Sequence, residues 1–307
     1  MNGPILLAGV AHSGKTLLRL ALSSHPRLAF SRRTYMWTRF YNRYGDLREP
    51  RNFERCLAAM LAHKPTRALD PDPNRIRREF RQGEPTYARL FALFHEHYAE
   101  RLGRSRWGDQ LGFVERYADL IFAAYPDARM IHMVRDPRNR YAASIDGRRR
   151  RMGAVGVATA RWLQSVELAE RNQQRYPDRY KVVRCEDLAT RFEESLRDIC
   201  FFLGENYVAG MLTLDGALRF SDGQDDESSG ERVLDSALAA LGDVATTTIS
   251  RREVAFIQAQ ARSAMTACRY DLKPNRLSLL ERLLFYGVDW PVNLAGMMAC
   301  RVLVARR

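Results

Sequence analysis

The chain has 307 residues, 46% of them hydrophobic, and a mean hydropathy of −0.39, which is enough chain and enough apolar content for a substantial core. No stretch approaches the ~20 consecutive apolar residues of a membrane-spanning helix, so that class is excluded. The formal net charge is +13, carried by arginine except for Lys15, Lys64, Lys181 and Lys273, and it points to an anionic partner.

Only Arg148–Arg151 concentrates the positive charge, and no basic motif is interleaved with aromatics as in single-strand readers, so nucleic acid is not the expected partner. The five cysteines (Cys56, Cys185, Cys200, Cys268, Cys300) are scattered and include no C-x-x-C pair. That pattern predicts reduced, mostly buried thiols in a cytoplasmic protein, and no metal site. The N-terminus has no basic segment ahead of its short apolar run and is not read as a secretion signal.

The first informative stretch is Gly9-Val10-Ala11-His12-Ser13-Gly14-Lys15-Thr16, a match to G-x-x-x-x-G-K-[ST]. Ile5–Ala8 reads as a strand before it, and Leu17–Leu22 carries helical spacing that Pro26 ends. Gly14 lets the backbone approach a ligand, and the helix N-terminus behind it favours phosphate or sulfate. Lys15 adds a mobile charge; Ser13 and Thr16 add hydroxyls. This loop is expected to bind an anionic group.

Residues 27–110 show little strand-like alternation. Ser31–Tyr41 mixes cations with aromatics, which suits either an anion-binding pocket or a helix with an aromatic core face. Helices are predicted over Arg51–Ala62 and Tyr87–Leu102, with an irregular connection over Lys64–Asn74. His95 and His97, two apart, fall on different sides of a helix and are expected to be solvated or capping.

Asp109 is expected at a strand end, followed by a helix over Val114–Ala124. Arg129–Val134 is an apolar run suited to a strand buried on both faces. It leads into Arg135-Asp136-Pro137-Arg138, where Pro137 suits the first turn of a helix and Asp136 its N-cap. Two strand–turn–helix units with basic residues at strand carboxyl ends suggest one ligand with phosphates at two places. Further on, helices are predicted over Ala158–Arg175, Leu188–Leu203 and Ser250–Ala267, and a strand over Tyr180–Val183. An acidic Gly/Ser-rich loop is read at Ser221–Gly230, with Arg232, Arg251 and Arg252 as basic candidates after it. The apolar tail Leu279–Val304 suits a helical hairpin packed on the domain, or contact with a membrane interface.

These segments resemble the sulfotransferases that use 3′-phosphoadenosine-5′-phosphosulfate (PAPS). The similarity lies in Ser13–Leu18, Val134–Arg138, His25-Pro26, Trp107-Gly108-Asp109, Tyr125–Arg129, Val182–Leu188 and Phe202-Leu203-Gly204, and it covers about residues 4–204. The resemblance implies an α/β, three-layer P-loop fold with a central parallel sheet and helical insertions, and we assign that domain to 1–270; the apolar pattern sets apart 271–307 as a helical tail packed on the domain or on a membrane surface. It implies that His12, Ser13, Gly14, Lys15 and Thr16 hold the 5′-phosphosulfate and that Arg135 and Ser144 hold the 3′-phosphate, with 3′,5′-ADP as product. The chain departs from the family pattern in several places. Lys15 stands where threonine is usual and His12 where a basic residue precedes the serine. Ala143 occupies the usual serine position, one before Ser144; Gln110 stands where many relatives have lysine; and Arg32 and Arg33 lie where tyrosylprotein relatives have a glutamate.

Sulfuryl transfer to an alcohol or amine needs in-line positioning, stabilisation of the leaving phosphate and a base for the acceptor. Lys15 suits the second task, and Asp109, then His12, the third. The full G-x-x-x-x-G-K-[ST] match keeps a Mg-ATP phosphotransferase as the alternative, and a non-catalytic nucleotide-binding adaptor at a membrane surface as a third reading. The expected partners are an anionic nucleotide and an acceptor that the sequence does not identify, with the tail as a peripheral membrane contact.

Overall fold

The computed structural model describes residues 3–145, 151–213 and 249–305. The predicted loop at Ser221–Gly230, Arg232 and residues 148–150 of the arginine run lie outside the described residues.

Five parallel strands form one sheet: β1 (Ile5–Ala8), β2 (Leu28–Ser31), β3 (Arg106–Gln110), β4 (Arg129–Val134) and β5 (Tyr180–Arg184). Their order is β2-β3-β1-β4-β5, so β1 lies at the centre with β3 and β4 as neighbours. From β1 the chain crosses to the edge strand β2, returns through β3, and then passes to β4 and β5 on the other side; connections to the two sides of β1 open a crevice at its carboxyl end, where open parallel sheets bind ligands. Residues of β1 are buried on both faces, as a central parallel strand requires. Leu6 and Ala8 face one core and Ile5 and Leu7 the other.

The helices up to residue 124 are α1 (Lys15–Ser23), α2 (Met36–Arg39), α3 (Pro50–Ala62), α4 (Lys64–Arg67), α5 (Pro73–Gln82), α6 (Tyr87–Arg101) and α7 (Ala118–Ala124). A 3₁₀ turn, Val114–Tyr117, precedes α7. Next come α8 (Pro137–Ile145), α9 (Ala154–Arg175), α10 (Cys185–Thr190), α11 (Phe192–Leu203), α12 (Gly210–Thr213), α13 (Arg251–Ala267), α14 (Leu279–Leu284) and α15 (Trp290–Ala305). Helices on both faces of a parallel sheet make this the expected three-layer α/β fold.

Four expectations change, the last of them in the tail. The connection over Lys64–Asn74 contains α4 and the start of α5, whose N-cap Asp72 accepts from the Asn74 and Arg75 amides ahead of Pro73. The four residues of β2 are too few to show a period, and this edge strand was missed. His95 and His97 are both buried: His97 Nε2 bonds Glu79 Oε2 at 2.8 Å, and His95 turns the other way, toward β3.

The tail is one bent helical run, not a hairpin. A π-type turn at Phe285–Asp289 joins α14 to α15 just before Pro291, where the missing amide would otherwise break the ladder. Glycines let α15 lie directly on α9. The Gly156 amide donates to Asn293 Oδ1 at 3.1 Å, and a Cβ on Gly156 would stand 1.8 Å from the Asn293 carbonyl oxygen. Among the described residues no helix is long and apolar enough to cross a membrane.

Gly156→Ala is therefore expected to lower stability by about 3 kcal/mol in denaturant titration, the upper part of the range for overpacking. Gly287→Ala, whose Cβ would meet nothing within 4 Å, should stay within about 0.5 kcal/mol of wild type.

Candidate functional site

The loop between β1 and α1 is held by cations that bind its carbonyls. Lys15 Nζ donates to the Gly9 carbonyl and, at 2.6 Å, to that of Val10. Arg140 Nε donates to Ala11 O at 3.1 Å and Arg135 Nη1 to His12 O at 3.3 Å. Carbonyl and N–H of one trans peptide point in opposite directions, so turning the carbonyls of 9–12 toward these cations aims the following amides the other way. The amides of Lys15 and Thr16 open the first turn of α1, where no intrahelical acceptor exists. Gly9 and Gly14 have φ of +111° and +87°, and a Cβ on either would strike Met133 O at 2.4 Å or Cys185 Sγ at 2.6 Å. Loop, β4 and α10 are thus packed without room for a methyl group, which fixes the cradle's shape.

Beneath the loop lies a carboxylate that the sequence reading did not pick out. Glu115 is fully buried; Oε2 accepts from the Gly9 amide at 3.3 Å and Oε1 from Ser165 Oγ at 3.1 Å. Ser165 Oγ is 2.9 Å from His132 Nε2, and His132 Nδ1 is 2.6 Å from the Tyr180 hydroxyl. Since Ser165 donates to Glu115, it accepts from His132, which places the imidazole proton on Nε2 and leaves Nδ1 to accept from Tyr180. Burial pushes His132 down to about 4, so the ring is neutral at physiological pH, as this tautomer requires. Burial also lowers Lys15 to about 7; Glu115 opposes that shift, while Arg33 and Arg140 add to it. The only sequence signal for Glu115 was an acidic residue in the first turn of the predicted Val114 helix, which reads as ordinary helix chemistry.

Asp109 lies at the carboxyl end of β3, in register with Leu6 and Ser31, and is fully buried. Its Oδ2 accepts a short bond from Thr34 Oγ1 and lies 3.4 Å from His95 Nε2, while Oδ1 has no hydrogen-bond partner among the described residues. His95 Nδ1 is 3.0 Å from the Phe91 carbonyl, and its ring stacks on Trp107 at 4.8 Å. Directly after Thr34, a cleft of about 930 Å³ opens, lined by Tyr35, Arg39, Phe40, Arg43, Tyr44 and Lys64 among others. Within Ser31–Tyr41, Trp37 is core, Tyr35 and Arg39 line the cleft, and the buried Phe40 contributes to its wall.

The structure thus gathers His12, Ser13, Gly14, Lys15 and Thr16 with Arg135 at the carboxyl ends of the adjacent strands β1 and β4. Ser13 is buried and donates to Val10 O at 2.8 Å, whereas His12 and Thr16 are exposed. Ser144 sits in the last turn of α8 and donates to Tyr141 O at 2.7 Å; among the described residues no hydrogen bond joins it to the loop. Arg140, which braces Ala11, had no assigned role in the sequence reading.

A family model described as the sulfotransferase family matches residues 4–208. The chain belongs to the sulfotransferase family. Two solved structures have the same fold. One is a sulfotransferase domain from the olefin synthase of Synechococcus PCC 7002, with TM-score 0.60 and 22% identity over 88% of this chain and 96% of that one. The other is a sulfotransferase domain from the curacin biosynthetic pathway, with TM-score 0.59 and 16% identity over 89% of this chain and 99% of that one. No curated protein sequence matches the chain.

If an anion binds on this loop, the burial of Lys15 is expected to make its affinity depend on pH. An anionic ligand favours the ammonium, which the free protein loses as pH rises through about 7, so binding takes up a proton above that point. Affinity for 3′,5′-ADP, measured by calorimetry, should fall up to about tenfold per pH unit above pH 7. In Glu115→Gln the loss of the opposing charge should move the onset about one unit more acidic.

Proposed function

We propose that this sulfotransferase transfers the sulfuryl group of PAPS to a hydroxyl or amine of a small-molecule, carbohydrate or lipid-linked acceptor. The observation that carries the reading is the bond from Arg135 to the His12 carbonyl, because it puts the cation ending β4 within reach of a ligand seated on the loop. PAPS, when bound, supplies an activated sulfuryl group and a 3′,5′-ADP leaving group. The glycine cradle, which a single Cβ at Gly9 or Gly14 would obstruct, suits a phosphate lying against backbone.

In this reading the amides of Ser13, Gly14, Lys15 and Thr16 and the Thr16 hydroxyl hold the 5′-phosphosulfate. Lys15 leaves the Gly9 and Val10 carbonyls to stabilise the charge that builds on the leaving phosphate. Arg135 pairs with the 3′-phosphate, and Ser144 supports it after giving up Tyr141. His12 and Asp109 are the candidate bases. His12 is exposed on the loop and can meet an acceptor directly, whereas Asp109 is closed over by Thr34 and acts on an acceptor only if that bond opens. The acceptor enters from the aromatic and cationic cleft at Tyr35–Lys64. The catalytic body spans 1–270.

The outward face of the tail adds a membrane contact to this proposal. Nine of the thirteen exposed large apolar side chains among the described residues lie between Leu279 and Val302, beside exposed Arg276, Arg282 and Arg301. An apolar stripe flanked by cations suits an anionic lipid surface. Co-sedimentation with phosphatidylglycerol vesicles, and not with phosphatidylcholine, is expected, and Leu280→Glu with Leu283→Glu should abolish it. Equal recovery with both lipids would remove the contact from the proposal.

Thermal stabilisation by 3′,5′-ADP and not by Mg-ATP is the expected test result for the enzyme, followed by labelled sulfate transfer from PAPS to acceptor extracts. The reverse preference would instead favour a phosphotransferase. Arg135→Ala should weaken 3′,5′-ADP binding by about 10–100-fold more than 5′-AMP binding, as expected for one charge-assisted contact. Equal losses would limit Arg135 to bracing the loop.

A further inference from the structure

One turn along α1 from Lys15, Arg19 is 8% exposed, and among the described residues its guanidinium has no hydrogen-bond acceptor and no carboxylate in ion-pair range. Buried arginines are normally paired, because an unpaired buried charge is costly. The cavity beside it has a volume of about 190 Å³ and lies between α1, the edge strand β2, α4 and α6. Its polar lining is Arg19, Arg32, Arg101, Arg104, Ser23 and Tyr98; the remaining wall is apolar, and no carboxylate contributes to it. Arg101 is held by Asp70 at 3.3 Å, and Arg104 donates to the His25 carbonyl at 2.8 Å. Ser23 donates to the Arg19 carbonyl at 2.8 Å, so it does nothing for that residue's charge.

We propose that this cavity is a second anion site, separate from the loop, which takes a small tetrahedral oxyanion such as inorganic sulfate or phosphate on Arg19. A guanidinium presents paired donors to two oxygens of such an ion. The volume falls below the ~300–1,000 Å³ of pockets for drug-sized ligands, which rules out a nucleotide and leaves room for one oxyanion with a few waters. Burial, with Arg32 and Arg33 adding to it, lowers Arg19 to about 10, against opposing pulls from Tyr98 and Asp109. The guanidinium therefore stays charged at neutral pH while its neighbours repel it, and a bound oxyanion would relieve that repulsion. This site does not depend on which nucleotide the loop binds.

The test uses the full chain, with the loop saturated by 3′,5′-ADP, and compares melting in sulfate, phosphate and chloride at equal ionic strength. Sulfate and phosphate stabilise folded proteins by exclusion from the surface, so only the part of the gain lost in Arg19→Met counts. Wild type is expected to show a saturable gain in both oxyanions over chloride, and Arg19→Met to lose the saturable part. In chloride alone, Arg19→Met should melt higher than wild type, because an unpaired buried charge has been replaced by an apolar chain; a lower melting point there would make Arg19 a structural residue and overturn the proposal. A gain that persists unchanged in Arg19→Met would overturn it too. Wild-type crystals soaked in selenate provide a readout that needs no variant. An anomalous peak is expected at the Arg19 guanidinium, and a cavity without one would sink the assignment. If 3′,5′-ADP itself fails to bind, the comparison of wild type with Arg19→Met still reads this cavity, so failure of the nucleotide reading is seen separately.

Discussion

The structure depends most on how the carbonyls of Gly9, Val10, Ala11 and His12 are held. Lys15, Arg140 and Arg135 take these four oxygens, and peptide planarity then commits the opposite faces of the same peptides to present N–H groups. Three cations that converge on one loop would repel one another in the open. Here they are held apart by the carbonyl dipoles they bind, and each comes from a different place: α1, the end of β4, and α8. The loop is thus a point where the central strand and the segment after its neighbour are tied together. The two anion-binding functions proposed for it share one mechanical element.

Electrostatic balance beneath the loop is the second constraint. Lys15 is buried among Arg33 and Arg140 with Glu115 as the opposing charge. Glu115 in turn is set by a line of hydrogen bonds through Ser165 and His132 to Tyr180, which spans α9, β4 and β5. Every member has a fixed donor or acceptor role, so the line has one proton arrangement and no slack. A fully satisfied buried network of this kind specifies a single geometry. It explains why a strand as apolar as β4 carries a histidine at its centre. On the opposite flank, Asp109 forms a smaller polar group with Thr34 and His95, and its Oδ1 has no hydrogen-bond partner among the described residues. The cleft starting at Tyr35 opens beside it.

Much was legible in the sequence because its signals are local. The eight-residue loop match, the β4 apolar run ending in Arg135-Asp136-Pro137-Arg138, and the helix predicted over Ser250–Ala267 each rest on short-range chemistry, and all three appear where expected. The family resemblance includes the first two of these pieces, and the matched range of residues 4–208 agrees with it. β2 was not legible: four residues show no period, and an edge strand exists only because β3 pairs with it. Nor were His95 and His97, since the correct inference that they point to different sides says nothing about burial. One side meets Asp109 and Trp107, the other Glu79.

By itself, the sequence determined an α/β chain with an anion-binding loop after its first strand and a basic strand end far along the chain, because glycine, proline and hydrophobic periodicity act over a few residues. Tertiary structure alone decided that Arg135 and Arg140 reach the loop's carbonyls, that Glu115 lies beneath Lys15, and that Arg19 is buried beside a cavity to which, among the described residues, no carboxylate contributes. The hydrogen bonds at the loop join residues 106 to 129 positions apart in the chain, and pairing across such distances is set only when the sheet brings its strands side by side.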